Sequence, residues 1–317
     1  MRTLYRLILH AALAVVACTA AAQPYPSKPV RVVVPYPAGG AVDVVTRQIT
    51  NHMAQALGQP FVIDNRPGAN ANIGAETVAR SAPDGYTLLA SATFLLLNPL
   101  LESDLRWSPH DFVPVALFAT SPNILVVPAS HSSKSLAEFI ALAKARPGLS
   151  VGDAGRGAPQ TMAVELLQHA AGVEFSNVGY RGGPQVLSDL LNSQLDMSVL
   201  PLGVVMSSIS GGRIRALAST SNHRSPLLPD LPTMGESGYS EVTVISWYGF
   251  HAPAGTPRHV IDRLSDAVSA ASSDAATRSH VEAIGGEISF MPTEMFQKFL
   301  ASDWSRWILA VQTIKRR

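Results

Sequence analysis

The sequence predicts an α/β protein of two lobes, each built on a mostly parallel sheet flanked by helices, with two hinge crossings between the lobes. Short apolar strand patterns alternate with helical patterns, which is typical of parallel sheets. The alternation runs through two successive series and ends in a helical tail. We expect a tail without a sheet of its own to return to the first lobe, which makes the chain cross between the lobes twice.

The first series begins with a β-branched run interrupted only by Arg31, Val30–Val34, which predicts a buried strand. A Gly/Pro loop follows it. Asp43, at the expected N-cap position, then begins a helix that ends before Gly58. The next strand, helix and strand are predicted at residues 61–64, 72–82 and 86–91.

The second series begins with a strand at residues 123–127, and Ser135 with Glu138 has the spacing of a capping box. The prolines of residues 224–232 predict an irregular surface strap. The remaining strands and helices of this series are predicted within 150–171, 175–192, 213–219 and 242–250, with helices from Pro257 onward. The predicted domains are therefore lobe 1, residues 23–122 plus 246–317, and lobe 2, residues 123–245.

The first 22 residues resemble a cleavable export signal. Arg2 begins a positive segment, an apolar run from residue 7 to 16 follows, and three alanines at residues 20–22 form a small-residue cleavage site. The apolar run is about half of the roughly 20 residues that a membrane-spanning helix needs. The alternative is a lipid anchor on Cys18, the only cysteine of the chain.

Composition argues against a nucleic-acid partner. Cleavage after Ala22 leaves 295 of the 317 residues and removes Arg2 and Arg6, so 24 Lys+Arg become 22 against 23 Asp+Glu, a net charge of −1. A nucleic-acid surface would instead show a clustered basic excess.

The loop of residues 35–43 is the most informative stretch. It joins a predicted buried strand to a helix N-terminus, where free N–H groups and the helix dipole can bind an anion. Gly39 and Gly40 would let a ligand approach the main chain closely. An ordinary tight turn with Asp43 as the cap remains an alternative, and the Asp43 carboxylate would repel an anion unless it were otherwise engaged.

Two further loops share this design. Residues 152–158 and 180–184 each place glycines between a predicted strand and a helix N-terminus. In open α/β sheets, ligands bind at the carboxyl ends of the strands. Three such loops on two lobes predict a cleft that closes on a small anion.

Motifs of the common enzyme classes are missing from the sequence. Residues 235–238 stop short of a nucleophile elbow, and there is no phosphate loop, dinucleotide fingerprint or His-Glu-x-x-His metal motif. The sequence therefore predicts a binding protein that is not an enzyme and needs no cofactor or metal. A hydrolase on an α/β frame is the less favoured alternative.

Several segments of the chain resemble one family of receptors. They are 25–30, 35–43, 65–68, 83–89, 180–182, 189–190, 232–233, 247–249 and 252–257. Taken in order along the chain, they are similar to the Bug family, the periplasmic receptors of tripartite tricarboxylate transporters.

The resemblance implies a type II-like periplasmic binding fold whose lobes close like a hinged trap. It also implies a small carboxylate ligand, held in part by the loop of residues 36–43, and a membrane permease of the tripartite tricarboxylate type as the partner. A ligand-sensing receptor that signals to a membrane sensor is the alternative role, and the same residues would serve it.

This sequence departs from the family pattern in the loop of lobe 2. Arg156 stands where a small polar residue is usual, Ala158 replaces a hydroxyl residue, and Thr161 replaces a histidine. Before the strand that follows Asp196, this chain has Asn192-Ser193 where the family usually has two glycines. We expect Arg156 to favour a dicarboxylate-type ligand, because a guanidinium binds carboxylates in a bidentate manner. The predicted ligand contacts are Tyr36, Ala38, Gly39, Gly40, Asp43, Ser91 and Thr93 from lobe 1, and Arg156, Gly157, Ala158, Thr161, Tyr180 and Gly182 from lobe 2.

Overall fold

The structure is a computed structural model that describes residues 25–153, 155, 158–180 and 182–315. The strands are β1 (Val30–Val34), β2 (Phe61–Asn65), β3 (Thr87–Ala92), β4 (Phe112–Pro128), β5 (Leu149–Asp153), β6 (Phe175–Gly179), β7 (Met197–Pro201), β8 (Ile214–Ser219), β9 (Ile245–Pro253) and β10 (Glu287–Pro292). The helices are α1 (Ala41–Leu57), α2 (Asn72–Ala79), α3 (Phe94–Leu101), α4 (Leu136–Ala145), α5 (Pro159–Ala171), α6 (Gly183–Leu191), α7 (Leu202–Ser210), α8 (Arg258–Ser273), α9 (Ala275–Ala283) and α10 (Thr293–Lys315). The predicted signal segment, Arg156 and Gly157 lie outside the described residues.

The strands form two mixed sheets that share β4. In lobe 1 the order is β2-β1-β3-β9-β4-β10, and in lobe 2 it is β6-β5-β7-β4-β8. The first three strands of each order run parallel, whereas every pairing that involves β4 or β9 is antiparallel. The two-lobed α/β fold is thus confirmed, with the parallel strands on the side of each lobe away from the junction.

The chain passes between the lobes inside one long strand. Up to Pro122, β4 pairs with β9 of lobe 1, and from Asn123 it pairs with β7 of lobe 2. The return passage lies just before β9, where the Val244 N–H still donates to the Thr220 carbonyl of lobe 2. A rotation of one lobe against the other must therefore act on these two neighbouring strands.

Local signals in the sequence set several element ends. Gly58 ends α1 in a left-handed conformation, with φ of 69°. The Ser135 hydroxyl accepts the Glu138 N–H at the start of α4, while the Glu138 carboxylate accepts the N–H of Lys134. Residues 224–232 contain neither helix nor strand, as the prolines predicted.

The tail returns to lobe 1 as expected, but the expectation that it is wholly helical is wrong. β10 lies between α9 and α10 and pairs antiparallel with β4, with Glu287 opposite Thr120. All six of its residues are only half-buried, which is typical of an edge strand. Its first four residues alternate polar and apolar, Glu287-Ile288-Ser289-Phe290, a short strand signal that was missed from the sequence.

The C-terminal helix α10 closes the core of lobe 1. Phe296 and Trp307 are fully buried, and the ring of Phe296 lies 5.4 Å from that of Trp247. The buried Asp303 carboxylate accepts from the indoles of both Trp247 and Trp307. Within the described part of the chain, none of the helices has the length and apolar character needed to cross a membrane.

Candidate functional site

The carboxyl ends of the parallel strands bring the predicted loops together. β1, β2 and β3 run in the same direction, so the loop after β1, residues 66–71 after β2, and Thr93 after β3 lie at one edge of lobe 1. β5 and β6 are likewise parallel, and the two glycine loops of lobe 2 follow them. This edge is where open α/β sheets bind ligands.

The loops of the two lobes meet across the cleft. Gly155, with φ of 125°, lies so close to lobe 1 that a Cβ atom on it would be 3.2 Å from Asn70 Oδ1. Asn70 belongs to three successive non-glycine residues with positive φ, Ala69, Asn70 and Ala71. The structure therefore brings Gly155 of lobe 2 close to Asn70 of lobe 1 at the mouth of the cleft.

The start of α1 differs from the prediction in one respect. Gly40, in an extended conformation, is the N-cap, and the helix begins at Ala41. Asp43 is therefore the third helical residue, and the expectation that it is the N-cap is wrong. Gly39, the residue before the N-cap, has φ of 80°, a left-handed conformation that favours glycine.

The Asp43 carboxylate is fully engaged by its own loop. It accepts from the Gly39 N–H at 2.9 Å, from Arg47 Nε at 3.0 and 3.1 Å, and from Asn65 Nδ2 at 2.9 Å. Burial alone would raise its pKa, but the bonds from Arg47, Gly39 and Asn65 outweigh burial and hold the pKa below its usual range. Its charge is balanced by Arg47, which removes the difficulty of a free carboxylate beside a bound anion.

The N-terminus of α1 keeps its capacity to bind an anion. The Asp43 carboxylate reaches back to Gly39, which precedes the helix, and not to the first helical turn. The first N–H groups of any α-helix lack an intrahelical acceptor. Since α1 has 17 residues, its dipole adds to this positive potential. Ala38 is exposed beside this turn.

Tyr36 provides a neutral hydroxyl next to the loop. Burial, with a smaller contribution from Tyr248, raises the pKa of Tyr36 well above its usual value. Its ring contacts that of Phe94 edge-on at 6.1 Å, and its carbonyl accepts from Asn65 Nδ2 at 3.1 Å. Tyr36 is therefore protonated at physiological pH and can donate a hydrogen bond.

The structure places Ser91 and Thr93 in different surroundings. The buried Ser91 hydroxyl is engaged inside lobe 1, with the Gly249 carbonyl at 2.9 Å and His251 Nδ1 at 2.7 Å. Burial lowers the pKa of His251 to about 3, so this pair is uncharged. Thr93, just beyond β3, is also buried, but its hydroxyl has no partner among the described residues. Of the two hydroxyls, only that of Thr93 is left without a partner among the described residues.

The first loop of lobe 2 is held by its own side chains. The Asp153 carboxylate accepts from the Gly155 N–H at 2.8 Å and from the Thr161 hydroxyl. The Thr161 hydroxyl also lies 2.7 Å from the Gly155 carbonyl, and Ala158 is the N-cap of α5. Thr161 therefore joins Asp153 and Gly155 to the start of α5.

Tyr180 and Gly182 lie in the second loop of lobe 2. The Tyr180 hydroxyl donates to the Asp189 carboxylate at 2.6 Å, and this bond raises the pKa of Tyr180 to about 12. Gly182, with φ of 147°, is the N-cap of α6. The polar end of Tyr180 thus faces α6, while Gly182 shapes the helix start.

Two groups of residues at this edge were missed from the sequence. Arg47 lies four residues after Asp43, a spacing that by itself indicates a helical ion pair. Asn98 is fully buried and donates to the Asn70 carbonyl at 2.8 Å and to Asn72 Oδ1 at 2.7 Å. No sequence signal joins these asparagines, because the contact depends on α3 packing beside the loop after β2.

Other features of the surface lie away from this edge. Two open cavities of about 560 and 840 Å³ lie on lobe 2, the first beside Ser130 and Arg213 and the second beneath Leu228 and Pro229 of the strap. Among the described residues, no group of three or more acidic, histidine or cysteine side chains is placed to hold a metal ion.

The comparison with known families matches this geometry. The family model described as the tripartite tricarboxylate transporter family receptor matches residues 45–315. The chain belongs to this family. The resemblance inferred from the sequence is therefore confirmed, and the protein is an extracytoplasmic solute-binding receptor of this type.

Three known proteins illustrate what this receptor is similar to, and two of them were solved with a small acid. BugT of Bordetella pertussis is 33% identical over 303 residues, which cover 93% of this chain and 92% of BugT. An R. palustris protein solved with adipate is 32% identical, with a TM-score of 0.88 over 92% of this receptor and 98% of that chain. MatC from Rhodopseudomonas palustris, with bound malate, is 31% identical, with a TM-score of 0.84 over 90% of this receptor and 100% of MatC.

Proposed function

We propose that this receptor captures a small dicarboxylate between its lobes in the periplasm and delivers it to a permease of the tripartite tricarboxylate type. The observation that carries the proposal is the loop before α1. Its residues 37–39 are exposed beside a helix N-terminus, and the Asp43 carboxylate in the first turn is balanced by Arg47. Adipate and malate, bound by two relatives, are both dicarboxylates.

One carboxylate of the ligand binds the N-terminus of α1. The N–H groups of the first helical turn and the Tyr36 and Thr93 hydroxyls act as donors. All of these donors are neutral, so affinity at this end comes from hydrogen bonds and the helix dipole. Ala38, Gly39 and Gly40 shape the approach to the main chain.

The second carboxylate binds the loop of lobe 2. Asp153 and Thr161 hold Gly155 of this loop in place, and Gly155 lies close to Asn70 of lobe 1. Arg156, Gly157, Ala158, Tyr180 and Gly182 form this second end. Ser91 supports the first end from within the core of lobe 1.

The moving bodies are residues 23–122 with 246–317, and residues 123–245. The change of pairing partner in β4 between Pro122 and Asn123 supports the first boundary. The solute is bound and released unchanged, and neither cofactor nor metal takes part. Recovery of unaltered adipate after long incubation tests this.

Binding is tested by thermal unfolding with a panel of mono-, di- and tricarboxylates. A ligand at 100 times its dissociation constant should stabilise the folded protein by about 2.7 kcal/mol. Calorimetry on the acids that raise the melting temperature then ranks their affinities. A panel in which no carboxylate raises the melting temperature would refute the proposed ligand class.

Delivery and location need separate tests. Uptake of a labelled dicarboxylate by host cells with and without the receptor gene tests the permease partnership. Intact-mass measurement of the exported protein tests removal of residues 1–22, and a lipid adduct on Cys18 would contradict it.

A further inference from the structure

A buried polar cluster lies where the two lobes join. It consists of Gln160, Asn123 and Ser246, which are 7%, 0% and 3% exposed. Gln160 Nε2 donates to Ser246 Oγ at 3.0 Å and to Asn123 Oδ1, and Ser246 Oγ donates to Asn123 Oδ1 at 2.9 Å. None of these three residues belongs to the predicted ligand contacts.

The cluster joins both crossing strands to the helix behind the loop of lobe 2. Asn123 is the first residue of β4 that pairs within lobe 2, whereas Ser246 of β9 pairs with Ser121 inside lobe 1. Gln160 is the second residue of α5, two positions after the N-cap Ala158. Its side chain thus connects the start of α5 to one residue from each side of the junction.

Rotation about the junction changes this cluster. An opening rotation would carry Ser246 with lobe 1 and Asn123 and Gln160 with lobe 2, and would therefore lengthen the bonds that join them. Buried polar groups are costly without hydrogen bonds, and water must replace these bonds when the cleft opens. In this structure the bonds are formed while Gly155 lies close to Asn70 across the cleft.

We propose that Gln160 is a positioning residue for solute capture. Its bond to Ser246 stabilises the closed arrangement of the lobes and holds the glycine loop of lobe 2 at the cleft, with no contact to the solute. A residue that biases an open–closed equilibrium changes the apparent affinity by the same factor as the population of the binding-competent state. The inference rests on the proposed function only in that the solute occupies the closed cleft.

Gln168 provides a matched control on the same helix. It is 6% exposed, against 7% for Gln160, and its amide also makes two bonds, from the Phe175 N–H at 2.8 Å and to Glu165 at 3.1 Å. These bonds stay within lobe 2. Gln160→Leu and Gln168→Leu therefore remove the same side-chain chemistry, but only the first removes a bond across the junction.

The first measurement is adipate affinity by calorimetry, with the melting temperature of each variant without ligand. Gln160→Leu should weaken adipate binding roughly 3- to 10-fold, the range for one or two neutral hydrogen bonds. Gln168→Leu should leave the affinity within about twofold at a comparable change in melting temperature. Equal losses of affinity in both variants would show that Gln160 acts only through local stability.

The second measurement needs no ligand. The only cysteine lies in the predicted signal segment, so cysteines introduced at the exposed Asn51 of lobe 1 and Lys144 of lobe 2 can carry a pair of dyes. Gln160→Leu and Ser246→Ala should each shift energy transfer towards the open form, and the double variant should shift it no further than the larger single effect. Additive shifts, or no shift, would overturn the proposal. A shift in a protein that binds no carboxylate would support the role of Gln160 and refute the ligand class instead.

Discussion

Asp43 and Arg47 form an ion pair one helical turn apart, and the buried partner is the acid. Asp43 is 2% exposed, and the same carboxylate accepts the Gly39 N–H at 2.9 Å. Asp43 therefore sets the conformation of the loop through Gly39. Its pairing with Arg47 balances the negative charge that would oppose an anion. We therefore propose that Asp43 positions the site and does not itself contact the solute.

Asp43→Asn should weaken both the fold and the site. Removing charge-assisted bonds from a buried group is expected to lower the free energy of unfolding by roughly 1.5–3 kcal/mol. Adipate affinity should fall as the Gly39 turn loosens. Asp262→Asn is the control, because Asp262 also pairs with an arginine one helical turn away, Arg258, at the start of α8. That helix follows the end of β9, which runs antiparallel to β3 and so ends at the opposite edge of the sheet. Unchanged affinity in Asp43→Asn would contradict the positioning role.

The contribution of Asp43 to stability should depend on pH in the acid range. Its pKa is lower in the folded than in the unfolded state, where it is about 3.9. The stabilisation is therefore fully present above the unfolded pKa and is lost as the pH falls through the folded pKa. The free energies of unfolding of wild type and Asp43→Asn, measured in urea, should differ most near neutral pH. They should converge as the pH falls below about 4. A difference that grows on acidification would reverse this assignment.

Gly39→Ala should abolish or strongly weaken binding in a protein that still folds. Gly39 and Gly58 flank the two ends of α1, both have positive φ, 80° and 69°, and a Cβ on either would contact nothing within 4 Å. Each alanine variant should therefore lose a similar stability, roughly 1–2 kcal/mol. Only Gly39→Ala should lose adipate affinity by calorimetry. Wild-type affinity in this variant would place the ligand elsewhere.

Thr93→Val tests whether the free hydroxyl binds the solute. Thr93 and Thr46 are both fully buried, and neither hydroxyl has a partner among the described residues. Valine has nearly the same shape, so neither variant should unfold more easily than wild type. Adipate affinity should fall roughly 3- to 10-fold in Thr93→Val and stay unchanged in Thr46→Val. If the two variants bind alike, Thr93 lies outside the site.

Arg156→Ala should distinguish di- from monocarboxylates. A guanidinium that binds the second carboxylate contributes about 1.5–3 kcal/mol, so a dicarboxylate should bind roughly 10- to 100-fold more weakly. A matched monocarboxylate should be much less affected. Arg156→Lys keeps the charge but loses the bidentate fork. Its affinity for the dicarboxylate should therefore lie between those of wild type and Arg156→Ala. Calorimetry that finds equal losses for both acids would place Arg156 outside the recognition set.

The sequence alone determined the order of most elements and the family. The β-branched run of β1, the glycine after α1 and the prolines of the strap are local signals, and each acts over a few residues. They predicted the βαβ series and the three glycine loops at helix starts without any knowledge of the packing.

Only the tertiary structure decided which residues meet. β10 pairs with the edge that β4 offers, Asn98 reaches Asn70 because α3 packs beside that loop, and Gln160 meets Ser246, 86 positions away, across the junction. Asp43 likewise proved to be the third residue of α1, since Gly40 took the cap. Such contacts join distant segments, and their stability comes from burial and hydrogen bonds that exist only once the lobes have assembled.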